Sequence, residues 1–220
     1  MGVKDHRQEL CQVCRLLYDR GYVVGHDGNV SLRLEGDRIL ITPSGVSKGR
    51  MEPDMLVVCS LDGQVLEGDR WPSSEMAMHL LVYRERPDVG AVVHAHPPVS
   101  TAFAICRRPL SQKYLTEAVS GLGEVPVAPF ALPSTHEVPD SILPYVDGHN
   151  AVLLANHGAL TWGKDLWTAF DRMETVEQTA KIYAQVSQLG GGVELSPGQV
   201  EQLLALSGHY EKLSGRREGR

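Results

Sequence analysis

The run Val92-Val93-His94-Ala95-His96-Pro97-Pro98 constrains this chain more than any other stretch. Apolar residues from Val89 to Val93 predict a strand, and side chains two apart on a strand share a face, so His94 and His96 can converge on one ion. Pro97 and Pro98 cannot continue a sheet ladder, which sets both histidines at the strand's end, in a cleft rather than a core. Taken alone, strands ending in a site suggest a doubly wound parallel sheet. A second run, Val152-Leu153-Leu154-Ala155-Asn156-His157-Gly158, repeats the pattern of an apolar strand ending on a histidine. Three imidazoles from two strand ends suit a catalytic zinc, which keeps a position open for substrate.

Helical spacing of Leu10, Val13, Cys14 and Leu17 predicts a first helix over about 5–20, stopped at Gly21. Alternation at Val30, Leu32 and Leu34, the turn Glu35-Gly36-Asp37 and the run Arg38 to Ile41 predict a hairpin. Another strand is expected from Met55 to Cys59, turning at Asp62-Gly63. Helices are expected from the serines after Pro72 to Arg86, from Ser100 to Cys106, over Glu137 to Tyr145, over Asp165 to Leu189 and over Pro197 to Lys212. Val125 to Val127 reads as a short strand. The strand ending at His157 is expected to lead straight into the long helix.

Two loops, Gly25 to Ser31 and Thr42 to Gly45, carry small residues whose backbone N–H groups can approach an anion closely. Taken singly, each reads first as a turn. Ser73, Ser74 and Glu75 open a helix, where unpaired N–H donors and a positive dipole end can receive a phosphate. Glu75 there is either a helix-stabilising acid or a general acid/base beside the metal. His79, one turn on, reads as structural, and Lys48 as a solvated lysine.

The formal charge of -6 opposes nucleic acid as a partner. The charged amino terminus and the lack of a long apolar run predict a cytoplasmic protein with no membrane association. Four cysteines, Cys11, Cys14, Cys59 and Cys106, are too scattered for a disulfide framework, and Cys11-x-x-Cys14 reads as core packing. A single domain is expected over residues 1–213, with 214–220 a disordered tail.

Gly28-Asn29-Val30-Ser31, Thr42-Pro43-Ser44-Gly45, Ser73-Ser74-Glu75, His94-Ala95-His96 and Asn156-His157-Gly158 occur together and in this order. In them the chain resembles the class II aldolase/adducin head family, and most of all its L-fuculose-1-phosphate aldolase branch. The resemblance implies an α/β fold, a three-layer α/β/α sandwich on a mostly antiparallel central sheet, assembled as a homotetramer with sites between subunits. It implies one Zn2+ per subunit on His94, His96 and His157, with Glu75 as acid/base and as a further ligand without substrate. It implies that Gly28, Asn29, Ser44, Gly45, Ser73 and Ser74 bind the phosphate of a phosphorylated sugar substrate. The implied reaction is reversible cleavage of a ketose 1-phosphate to dihydroxyacetone phosphate and an aldehyde through a metal-stabilised enediolate. A sugar-phosphate 4-epimerase, a methylthioribulose-phosphate dehydratase or a sugar-acid phosphate decarboxylase would use the same site. An adducin-like interaction module fits less well, since all three histidines and Glu75 are present. On the aldehyde side the chain departs from the branch: Leu115 stands where a tyrosine is expected, with Tyr114 and Glu117 close by. Tyr210 matches a second, carboxyl-terminal tyrosine that serves catalysis.

Overall fold

A computed structural model describes the backbone of residues 3–214 and the side chains of 6–206. The side chain of Tyr210 and the tail residues 215–220 lie outside the described residues. Among the described residues, six α-helices and eight strands follow one another as α1 (Val3–Asp19), β1 (Asn29–Leu34), β2 (Arg38–Ile41), β3 (Val57–Ser60), β4 (Val65–Glu67), α2 (Met76–Glu85), β5 (Ala91–Ala95), α3 (Pro98–Ile105), β6 (Val127–Ala128), α4 (Glu137–Val146), β7 (Ala151–Leu154), β8 (Gly158–Gly163), α5 (Leu166–Gln188) and α6 (Pro197–Ser214).

The strands form one sheet in the order β4-β3-β2-β1-β5-β8-β7-β6. Every pairing is antiparallel except β6 with β7. The parallel sheet suggested by the strand-end pattern alone is therefore wrong, and the mostly antiparallel sandwich implied by the resemblance is right. Hairpins bring β1 to β2 and β7 to β8, so neighbours in sequence pair without helical crossovers. In the first hairpin Gly36 and Asp37 take φ of 72° and 54°, the left-handed conformations that tight strand reversals need.

Strand periodicity divides the core into two layers. Val30, Leu32 and Leu34 of β1 and Ala91, Val93 and Ala95 of β5 face α1, α3 and α5. Ile39, Ile41, Val92, Leu160 and Trp162 face the opposite side, where α2 and α4 supply Met78, Leu80, Val82, Val138 and Ile142. Burying one such side chain contributes about 1.5–3 kcal/mol, so two filled faces hold the sheet between both helical layers. Because His94 is two residues from Val92, it lies on the α2 side.

Two expectations need correction here. The strand expected from Met55 begins at Val57, because Pro53–Met55 close a 3₁₀ turn first. After His157 the chain does not go straight to the long helix. It turns at Ala155–His157, with Asn156 at φ 59°, and returns as β8 before Asp165 caps α5 by accepting from Thr168 N at 2.7 Å. The residues Ala159 to Trp162 are all buried, and their apolar run between two glycines is the signal that marks the missed strand.

Candidate metal centre and anion cavity

Register puts the first components together. In the β1–β5 ladder Asn29 lies opposite His94, so their side chains share the α2 face. His94 is fully buried, and its Nδ1–H donates to the Ala159 carbonyl at 2.9 Å, leaving the Nε2 lone pair directed at the site. His96, just beyond β5, brings its Nε2 to 3.0 Å from that of His94. His157 comes from the β7–β8 turn. Its ring centroid is 4.8 Å from that of His94 and 5.0 Å from that of His96. One nitrogen from each of the three rings lies within 4.8 Å of the others, a spacing that one ion can bridge.

Glu75 faces the same point from the position that caps α2. Its Oε2 lies 3.3 Å from His94 Nε2 and its Oε1 lies 3.3 Å from His157 Nε2. Oε1 is buried and has no hydrogen-bond partner. Nitrogen lone pairs facing one another beside an orphaned carboxylate oxygen repel unless a cation lies among them, and this donor set fits a divalent metal. Burial pushes the Glu75 carboxyl upward, but His94, His157 and the Asn29 amide outweigh it and hold it well below the usual carboxylate range. His96 and His157 are pushed down to about 3 and about 4, first by burial and then by the neighbouring His94, which favours the neutral ligand form.

A buried chain of hydrogen bonds aims Glu75. Asn29 Nδ2 donates to Glu75 Oε2 at 3.0 Å, and Asn29 Oδ1 accepts from His79 Nε2 at 2.5 Å. His79 Nδ1 then accepts from Ser31 Oγ at 2.7 Å, and Ser31 in turn accepts from the Tyr83 hydroxyl at 2.8 Å. With His79 neutral, one set of proton positions satisfies every link. Burial is the main cause that pushes His79 down to about 3. Its folded pKa lies below its unfolded value of about 6.5, so the unfolded chain binds the extra proton; the contribution to stability is complete above that pH and is lost as pH falls toward 3. Chemical denaturation between pH 7 and 5 is expected to show His79 contributing a slope approaching ~1.4 kcal/mol per pH unit below about pH 6, a share that His79→Gln removes.

Glycine is required at two points around the ligands. A Cβ on Gly28, which has φ 70°, would meet the His94 carbonyl oxygen at 2.8 Å. One on Gly158 would meet the Ala95 carbonyl oxygen and His96 Cδ2, both at 2.5 Å, and so displace a ring of the trio.

The trio forms one wall of a cavity of about 340 Å³ lined by Gly28, Asn29, Ser44, Gly45, Ser73, Ser74, Glu75, His96 and His157, among others. All six residues expected around the phosphate thus meet in one place. The serines precede the α2 cap rather than forming it, and Ser73 Oγ accepts from the Glu75 N–H at 3.3 Å. Ser134, at φ 63°, closes the far wall with its hydroxyl 3.0 Å from that of Ser74.

Lys48 overturns its reading as a solvated lysine. It is 2% exposed, lines the cavity, and its Nζ donates to the carbonyls of His26 at 2.8 Å and Val46 at 3.1 Å. Burial lowers its pKa, while Cys14, Asp27 and Glu75 oppose that shift. No other Lys or Arg lines the cavity among the described residues. Asp27, also missed from the sequence, lies on the cavity with Oδ2 3.7 Å from His96 Nδ1. Neither residue belongs to the glycine and serine pattern that marked these loops.

On the aldehyde side the expected residues stay away from this cavity. Tyr114 packs edge-on against Tyr183 at 5.2 Å, Leu115 joins the core, and Glu117 is exposed at the start of a π-helical turn. The role expected of Tyr210 falls outside the described side chains.

A sandwich with three histidines and a carboxylate converging below a hydroxyl-lined cavity fits the site of a metal-dependent enzyme. Residues 8–184 match the family model described as Class II Aldolase and Adducin N-terminal domain, and the chain belongs to that family. A 3-oxo-tetronate 4-phosphate decarboxylase of Haemophilus influenzae is 36% identical over 80% of this chain and 86% of its own. A 5-deoxy-D-ribulose 1-phosphate aldolase of Bacillus thuringiensis serovar kurstaki is 33% identical over 92% and 95%. Among solved structures, an L-fuculose 1-phosphate aldolase superposes with a TM-score of 0.86 at 36% identity, covering 94% of this chain and 97% of that one. The protein is thus an enzyme of a metal-dependent family, and its three-histidine site can hold the ion. No helix among the described residues is long and apolar enough to cross a membrane.

Proposed function

We propose that this protein is a zinc-dependent aldolase that reversibly cleaves a ketose 1-phosphate, of the L-fuculose 1-phosphate kind, to dihydroxyacetone phosphate and an aldehyde. The observation that carries this reading is the position of Glu75, with its carboxylate against the histidine trio on one side and the anion cavity on the other. His94, His96 and His157 hold the zinc. When bound, the ion supplies positive charge for the anion that develops on the substrate's oxygens as a C–H bond ionises. Glu75, kept ionised, takes that proton from carbon and returns it in the opposite direction. Asn29, held by His79, keeps the carboxylate oriented through the transfer.

The phosphate docks on backbone N–H groups of Gly28 and Gly45, on Asn29, and on the hydroxyls of Ser44, Ser73 and Ser74 at the entry to α2. Lys48 supplies the balancing charge. A charge-assisted hydrogen bond is worth about 1.5–3 kcal/mol, so Lys48→Met is expected to raise KM for the phosphorylated substrate roughly 10–100-fold with kcat little changed. Steady-state kinetics check this, and an unchanged KM would remove Lys48 from the phosphate site.

Trp71, Phe130 and Leu132 stand exposed beside the cavity residues Ser73 and Pro133, an apolar surface in keeping with a homotetramer whose subunits meet near the site. We read residues 1–213 as one catalytic domain acting in the cytoplasm.

A second reading, decarboxylation of a sugar-acid phosphate, is favoured by the Haemophilus influenzae relative. Exchange of the hydroxymethyl C–H of dihydroxyacetone phosphate in D2O, followed by NMR with zinc-loaded and chelator-treated protein, tests enediolate formation. Both reactions share that step, because decarboxylation of a 3-oxo-tetronate 4-phosphate also yields dihydroxyacetone phosphate; condensation of dihydroxyacetone phosphate with a short aldehyde separates the two. Zinc-dependent exchange together with condensation supports the aldolase. Exchange without condensation makes 3-oxo sugar-acid phosphates the next substrates to assay, and no exchange by verified zinc-loaded protein counts against both.

A further inference from the structure

Glu177 lies near the middle of α5 and is fully buried. An ionisable carboxyl in such a place is costly unless hydrogen bonds and a nearby cation compensate it. Its Oε1 accepts from the Val99 N–H at 3.1 Å and its Oε2 from the Ser100 N–H at 2.8 Å, with Lys181 Nζ 3.6 Å from Oε1. Both amides belong to the first turn of α3.

That helix has no cap of its own. Pro97 occupies the cap position and carries no acceptor side chain, and Pro98 has no N–H to satisfy. Thr101 N–H already bonds the Pro97 carbonyl at 2.9 Å. Glu177 therefore satisfies the remaining donors of the turn from a distant part of the chain.

His96 immediately precedes this turn. Its own N–H bonds the Tyr22 carbonyl at 2.8 Å, and the two prolines that follow have φ fixed by their rings. Little slack separates the amide that Glu177 holds from the backbone that carries the imidazole. We infer that Glu177 is a positioning residue for His96: by capping α3 from α5 it fixes the Pro97-Pro98 corner and aims the ring at the ion. The inference rests on the reading of His96 as a metal ligand.

A cap that served stability alone would leave metal affinity untouched wherever the variant is folded. The test titrates Co2+ into the metal-free full chain and follows its visible ligand-field absorption in wild type, Glu177→Gln and Val176→Ala. Glutamine keeps the size but presents a donor nitrogen to one of the two amides. Val176→Ala destabilises the same turn of α5 and leaves the carboxylate in place. Glu177→Gln is expected to lower Co2+ affinity about 10–100-fold and to alter the absorption bands, the usual scale for groups that orient a ligand, while Val176→Ala binds as wild type does. Wild-type affinity in Glu177→Gln, or an equal loss in both variants, would overturn the positioning role.

Amide hydrogen exchange in the wild type gives a second check that needs no variant. Coupling between cap and ion is reciprocal, so saturating Co2+ should slow exchange at Val99 and Ser100. Exchange there that ignores Co2+ would also overturn the inference. Wild-type protein that binds no Co2+ at all would instead sink the reading of the histidine site, and this inference with it.

Discussion

His94→Ala protein is expected to retain no zinc after desalting and to lose turnover by about 10³-fold or more. The imidazole it removes is fully buried, tied to β8 through the Ala159 carbonyl and opposite Asn29 in the sheet, so no neighbouring side chain can move in to replace it. Two partly buried imidazoles and Glu75 then remain, without the ring that sets the geometry. An ion stabilising developing charge is worth several kcal/mol, and each ~1.4 kcal/mol is tenfold in rate, which sets the size of the defect. Elemental analysis and a thermal shift check the prediction together. At about 100 times its dissociation constant, an ion that binds only the folded state adds ~2.7 kcal/mol, which for a domain of this length raises Tm by roughly 5–10 °C. Wild type should show that rise and the variant should not. A variant that keeps stoichiometric zinc and normal turnover would remove His94 from the centre.

The helices and the first hairpin were legible because local signals coincide there: apolar spacing in α1, and the alternation of β1 ended by Gly36-Asp37. The histidine trio was legible for a different reason. His94 and His96 share a strand face by elementary geometry, and His157 closes a run of the same form, so the convergence follows from local pattern. Sheet order does not follow from local pattern. An apolar strand ending in a site looks alike in a parallel and an antiparallel sheet, and what places β5 between β1 and β8 is tertiary pairing. The strand β8 was lost because it is short and a single glycine, Gly158, separates its apolar run from His157, while the left-handed residue that makes the turn is Asn156 rather than a glycine.

Lys48 and Asp27 show the same limit at the site. A lysine among Ser47, Gly49 and Arg50 has the composition of a surface turn, and its burial depends on carbonyls at His26 and Val46 that only the folded loops bring together. Glu177 is equally silent in the sequence, since a glutamate within a long amphipathic helix is ordinary. His79 was read as structural, and its full burial agrees, yet the structure adds that it fixes the Asn29 amide that orients Glu75.

Glu75→Gln should separate proton transfer from metal binding. Glutamine fills the same space, and its carbonyl can accept from Asn29 Nδ2 as the carboxylate does at 3.0 Å, so the hydrogen-bonded chain through His79 to Tyr83 can persist. What is lost is the negative charge and the base. The three imidazoles still provide a zinc site, so zinc content and the metal-induced rise in Tm are expected to stay near those of wild type. Turnover should fall by about 10²–10⁴-fold, the usual contribution of a positioned acid/base, and zinc-dependent C–H exchange of dihydroxyacetone phosphate should fall with it. The fall should appear in kcat and in kcat/KM alike, because substrate phosphate and the loops that hold it are untouched. Loss of zinc in this variant would make Glu75 mainly a ligand. Normal turnover with zinc bound would show that another group moves the proton, and Asp27, the other carboxylate on the cavity, would be the next residue to replace.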